Sequence, residues 1–122
     1  MVADFEPLKQ RTKDFAARVI RLVDSLPNTV AGRRLGDQLL RAASSVGANY
    51  RAACRARSRA DFVSKVGIVE EEADECAYWL ELITEAGLMR SAKTRALHGE
   101  AQELVAIVSA SRITARRNAN RN

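Results

Sequence analysis

Four arginines fall within nine residues, Arg51, Arg55, Arg57 and Arg59, and three more, Arg112, Arg116 and Arg117, within six residues towards the other end of the chain. A guanidinium is a planar fork of donors that meets a carboxylate or a phosphate in bidentate fashion. Arg51 and Arg55 stand four residues apart, so on a helix they share a face. No aromatic residue is interleaved with either group, so stacking on bases is not supported; contact with a polyanion's backbone is the sharper reading. The opposing pole is Glu70-Glu71-Glu72-Ala73-Asp74-Glu75. The arginines therefore either bind an external polyanion or balance this acidic segment, and residue types alone do not choose.

Other chemistry is poorly provided for. A carboxylate-bridged di-iron site in a helical bundle needs two Glu-x-x-His motifs. The single histidine, His98, has Arg95 three positions before it. With two cysteines and one histidine there are too few ligands for a four-coordinate zinc site of the Cys/His type. No partner set for a nucleophilic triad stands out, and no glycine-rich phosphate loop follows a strand. The expectation is a protein that is not an enzyme, with no metal and no cofactor.

The elements that must position these residues are helices. In Gln38–Ile83 an apolar residue recurs every three or four positions: Leu35, Leu39, Ala42, Val46, Asn49 and Ala53 approaching Arg57-Ser58, then Phe62, Val66, Val69, Ala73, Cys76, Leu80 and Ile83 beyond it. Alternating steps of four and three mark a bundle seam rather than a strand. Ser58 is a good N-cap, with Asp61 three residues on as the acidic half of a capping box. Gly87 stands where a left-handed residue would close the second arm. An earlier seam, Leu8, Thr12, Phe15, Val19, Leu22 and Leu26, opens near Asp4 and Pro7 and stops at Pro27-Asn28-Thr29. A later one is Leu97, Ala101, Leu104, Val108, Ser111 and Ala115. The chain thus reads as all-α, an up-down-up-down antiparallel four-helix bundle over residues 1–115, with helices near 6–26, 30–55, 59–86 and 92–115. Residues 116–122 read as a basic, flexible tail.

Within the second helix the small-residue run Ala42 to Ala48 is expected to face Gly67 to Ala73 of the third, with Gly47 near Gly67. Asn49 is a polar residue at an apolar seam position, which commonly fixes register or partners a buried hydrogen bond, at some cost in stability. Beside the seam of the third helix runs a second stripe, Ile68, Glu72, Glu75, Trp79 and Leu82. Large apolar residues outside the main seam suggest an interface between copies of the chain; a solvated face is the plainer alternative. Arg41 lies at the level of Glu72 and Glu75, so an arginine–carboxylate network is expected there.

Charge is segregated along the chain. Residues 1–57 hold eleven Lys/Arg against five acids, residues 58–89 two against eight, and residues 90–122 seven against two. One helix is acidic and its surroundings are basic. Counted at about 1.5 Å per residue from the turn, Cys54 and Cys76 are too far apart for a disulfide. No run approaches a membrane span and the N-terminus lacks a signal-peptide core, so a cytoplasmic location is expected.

Gln38-Leu39 with Arg41-Ala42-Ala43, Ser45-Val46 with Asn49, Ser58 with Asp61-Phe62, and the Glu-rich segment leading to Trp79-Leu80 closely resemble the core of the four-helix bundle proteins known from intervening sequences in bacterial 23S ribosomal RNA genes. The resemblance runs through essentially the whole chain. It implies a bundle that assembles as a ring, typically a homopentamer, and binds nucleic acid without catalysis, RNA before DNA. It also links the chain to accessory subunits of diversity-generating retroelements, and so to a reverse transcriptase as a protein partner. It carries no catalytic residues to transfer.

Overall fold

The computed structural model describes residues 4–120. Four helices follow one another: α1 Glu6–Asp24, α2 Val30–Cys54, α3 Arg59–Glu85 and α4 Ser91–Asn120. Among the described residues there is no strand. Each helix packs along the next, and α1 returns to α4 more sparsely. The direction alternates, as three cross-links show. The rings of Phe5 and Phe62 lie 6.1 Å apart, joining the start of α1 to the start of α3. Arg59 Nη1 donates to the Asn118 carbonyl oxygen at 3.0 Å, joining that same end to the last turns of α4. At the far end the hydroxyls of Thr84 and Thr94 meet at 2.8 Å. The architecture is an antiparallel up-down-up-down bundle.

Local chemistry sets the helix ends. The Thr29 hydroxyl accepts from the Gly32 amide at 3.0 Å, and the Ser58 hydroxyl from the Asp61 amide at 3.0 Å, each satisfying an orphan donor of a first turn. The Asp61 carboxylate accepts from Lys65 Nζ at 2.6 Å and from the Arg57 backbone amide, and both hold it below the usual carboxylate range, Lys65 the more strongly. Asp4 accepts from the Glu6 amide at 3.1 Å while Phe5 occupies the N-cap position of α1. Gly87 has φ +75°, the left-handed turn that lets the Leu88 amide reach back to the Ile83 carbonyl.

The core follows the seams, with one drift. Phe15, Leu39, Leu80, Ile83 and Leu104 are its largest fully buried side chains. On α2 the buried sequence is Leu39, Ala42, Ala43, Val46, Tyr50 and Ala53. Tyr50, not Asn49, is the core residue that follows Val46. At about 100° per residue, a residue three on from Val46 lies about 60° to one side of it and one four on about 40° to the other, so here the seam takes the step of four before the step of three. Asn49 Nδ2 instead donates within its own helix, to the Ser45 carbonyl at 2.9 Å and the Ser45 hydroxyl at 2.8 Å. Its side-chain bonds are thus local and part-buried.

The expected approach of Gly47 to Gly67 is corrected too. A Cβ on Gly47 would stand 3.6 Å from the Thr12 hydroxyl of α1, and one on Gly67 would meet only Arg112 Cδ at 3.9 Å. The small-residue run of α2 turns towards α1, because a helix's rotation about its axis cannot be counted from a turn. Space is tightest for a side chain at Gly32, where an added Cβ would run into the Pro27 carbonyl oxygen. At the other end of the chain α4 continues through Arg116 and Arg117 to Asn120, beyond the boundary expected at 115. Ala115, Arg116 and Arg117 are good helix formers, and the Arg59 guanidinium satisfies a terminal carbonyl there.

Candidate functional site

Four helices in alternation bring the α2–α3 turn and the end of α4 to the same end of the bundle, so the two arginine groups converge. Arg57 and Arg59 occupy the turn, and Arg116 and Arg117 the last turns of α4; all four are exposed. The bond from Arg59 to the Asn118 carbonyl spans the two groups. Arg121, which by sequence continues the group of Arg112, Arg116 and Arg117, lies outside the described residues. Arg112 differs from the rest: its Nε donates to Glu70 Oε2 at 2.8 Å, and both side chains are mostly covered. The pairing holds the Glu70 carboxyl below its ordinary value and raises Arg112.

Arg51 and the C-cap residue Arg55 line a different surface. They project from the last turns of α2 along a groove against α1, where Lys9 and Lys13 face them. The groove has a volume of about 430 Å³ and a floor of Ala16, Ser44, Gly47 and Ala48. Lys9 Nζ is held by Glu6 at 2.9 Å. Among the described residues no carboxylate lies within ion-pair distance of Lys13, Arg51 or Arg55. Counting from sequence misses this juxtaposition, since Lys9 and Lys13 lie more than thirty residues from Arg51.

The acidic helix is largely engaged with its neighbours. Arg41 donates from Nη2 to Glu75 Oε1 at 2.6 Å and from Nη1 to Glu72 Oε2 at 3.3 Å. The Trp79 indole N–H donates to the same Glu75 oxygen at 3.1 Å. Arg41 and then Trp79 hold the Glu75 carboxyl below the ordinary carboxylate value. On α1, Arg11 forks onto Glu100 with two bonds of 2.7 Å and reaches Glu103 at 3.0 Å, depressing the Glu100 carboxyl in the same way. His98 Nε2 meets Glu81 Oε2 at 2.8 Å, tying α4 to α3. Of the stripe on α3, Ile68 is 40% exposed, Trp79 and Leu82 are half-buried, and Glu72 and Glu75 turn towards Arg41. Tyr78 joins it, 55% exposed, with its ring edge-on to Trp79 at 5.0 Å.

Cys54 and Cys76 are both free thiols. Burial pushes the Cys76 thiol up to about 12, and raises Cys54 less, beside the Tyr50 hydroxyl. Neither is a poised nucleophile. Among the described residues no helix is long and apolar enough to cross a membrane, and no group of three metal-binding side chains stands together.

Comparison with known proteins agrees with this architecture. A crystal structure from Bacteroides thetaiotaomicron, of a protein with unknown function in the S23 ribosomal protein family, superposes with a TM-score of 0.77. The two chains are 33% identical over 82% of this chain and 93% of that one. No curated protein matches. The model of the 23S rRNA-intervening sequence proteins matches residues 7–110, most of the bundle, and the chain belongs to that family.

Proposed function

We propose that this chain is a non-catalytic nucleic-acid-binding scaffold, directed to structured RNA before DNA. The observation that carries the reading is the convergence of Arg57, Arg59, Arg116 and Arg117 at one end of the bundle, two groups separated in sequence and joined through Arg59 and Asn118. Exposed arginines so gathered produce a local positive potential that favours phosphate backbones. The absence of aromatics among them favours backbone contact over base reading. Membership of a family named for ribosomal RNA inserts supports RNA as the target. The protein acts in the cytoplasm, where its target would lie.

The exposed stripe favours a second property, assembly with copies of itself. Ile68, Tyr78, Trp79 and Leu82 present an apolar face on α3 flanked by acids, the composition expected of a subunit interface. The pentameric ring implied by the family resemblance is the form we propose. The same face offers the alternative function, a protein-interaction module or accessory subunit, for example to a reverse transcriptase.

The test is binding of structured RNA and duplex DNA across a salt series, with assembly mass recorded alongside. Log affinity should fall linearly with log salt. Arg57→Glu with Arg117→Glu should weaken binding and flatten that slope. Unchanged affinity in the double variant would sink the assignment.

A further inference from the structure

We infer that the α1–α2 groove is a track for the sugar–phosphate backbone of the bound nucleic acid, with Lys9 and Lys13 on one wall and Arg51 and Arg55 on the other. The inference rests on the nucleic-acid reading above and assigns it a second surface. Each pair is spaced four residues apart, so its two charges sit about 6 Å apart along the helix axis. The walls belong to antiparallel neighbours, so the two rows run side by side along about 430 Å³ of open groove. Between the rows the lining is small, Ala16, Ser44, Gly47 and Ala48, so no bulky side chain blocks a backbone lying along it. Glu6, held by Lys9, is the one carboxylate in the lining among the described residues.

A second groove of the bundle supplies the contrast. The space between α3 and α4 is larger, about 700 Å³, but sets Glu70, Glu71 and Asp74 against Arg112 and Arg116. Arg112 is spent on Glu70. That groove is neutralised from within, whereas the α1–α2 groove keeps Lys13, Arg51 and Arg55 without an ion pair among the described residues. Its mouth at Arg55 leads onto the turn with Arg57 and Arg59, so a strand leaving the groove passes directly to the arginine end. With no aromatic in the lining, recognition there is independent of base sequence.

The experiment uses the full chain and fluorescence anisotropy with a labelled RNA hairpin and a second hairpin of unrelated sequence. Three variants are compared with wild type: Lys13→Glu, Ala48→Gln, which fills the floor without changing charge, and Arg57→Glu with Arg117→Glu. All the substituted side chains are exposed; melting and assembly mass are checked for each. The expected result is weaker binding of both hairpins by Lys13→Glu and Ala48→Gln. Each phosphate left without its cation should lower the ratio of affinities at about 50 and about 200 mM salt roughly threefold. If wild type binds and the Arg57/Arg117 variant weakens while both groove variants match wild type, the track is refuted and the scaffold reading survives. No binding by wild type at low salt overturns both. A changed assembly mass in Lys13→Glu or Ala48→Gln makes the groove a contact between copies and overturns the track alone.

Discussion

Single side chains carry much of the specificity in this bundle, and Glu100 is the clearest case. Its carboxylate is mostly covered and takes two bonds from Arg11, so its folded pKa is depressed. A depressed carboxylate stabilises the fold above its unfolded pKa of about 4.3, and that contribution is lost as pH falls through the lower folded value. Glu100→Gln should therefore cost about 1 kcal/mol at neutral pH. The gap from wild type should close in urea melts below about pH 4; a gap independent of pH would mean that packing, not charge, is responsible. The glycines give an equally sharp contrast. Gly32→Ala forces a methyl into the Pro27 carbonyl and should destabilise by about 1–3 kcal/mol. Gly47→Ala meets only ordinary contacts at Thr12 and should be neutral or stabilising by up to about 1 kcal/mol through helix propensity. Thermal melts should place the Gly32 variant below wild type and the Gly47 variant at or above it.

Among the elements, α3 was the most legible in sequence. Val66, Val69, Ala73, Cys76, Leu80 and Ile83 are all buried as their spacing required, because apolar periodicity reports directly on the face a helix hides. The Ser58 half of its cap was equally legible, whereas the Asp61 carboxylate turns to Lys65 and the Arg57 amide and not to the Ser58 amide; Ser58→Ala should cost about 1 kcal/mol, measured as a lower denaturation midpoint with unchanged slope. Relations between elements were less legible. Asn49 falls at a seam position by heptad spacing, yet Tyr50 occupies that place in space, since steps of three and of four both stay near a helix face and spacing does not say which comes first. Gly47 met α1 and not α3 because counting residues gives height along a helix and not rotation. The Arg41 network was readable because long side chains tolerate an error of one turn. The α1–α2 groove was invisible, as it exists only once two distant segments pack.

At the scale of the molecule, the candidate surfaces divide by character. Cations gather at one end and along α1 and α2, while the exposed face of α3 is apolar and acidic. Such a division suits a particle that meets nucleic acid on one surface and its own kind on another. Tyr78→Glu combined with Ile68→Glu should lower the assembly mass seen by light scattering and leave the helical signal intact, since both side chains are largely exposed. An unchanged mass would remove the stripe from the interface. The arginine end was only half legible in sequence: both groups were plain, but their meeting depends on the parity of the helices.

That parity has a mechanical consequence. The start of α1 and the end of α4 lie at the same end of the bundle, so a load applied between them would act across the long axes and not along them. The seam between those two helices is the sparsest in the molecule, and the fork of Arg11 onto Glu100 and Glu103 is its main polar link. Pulled from its ends, the protein would open like a zip, a pair of side chains at a time, where a bundle of three helices of the same length would have to be sheared.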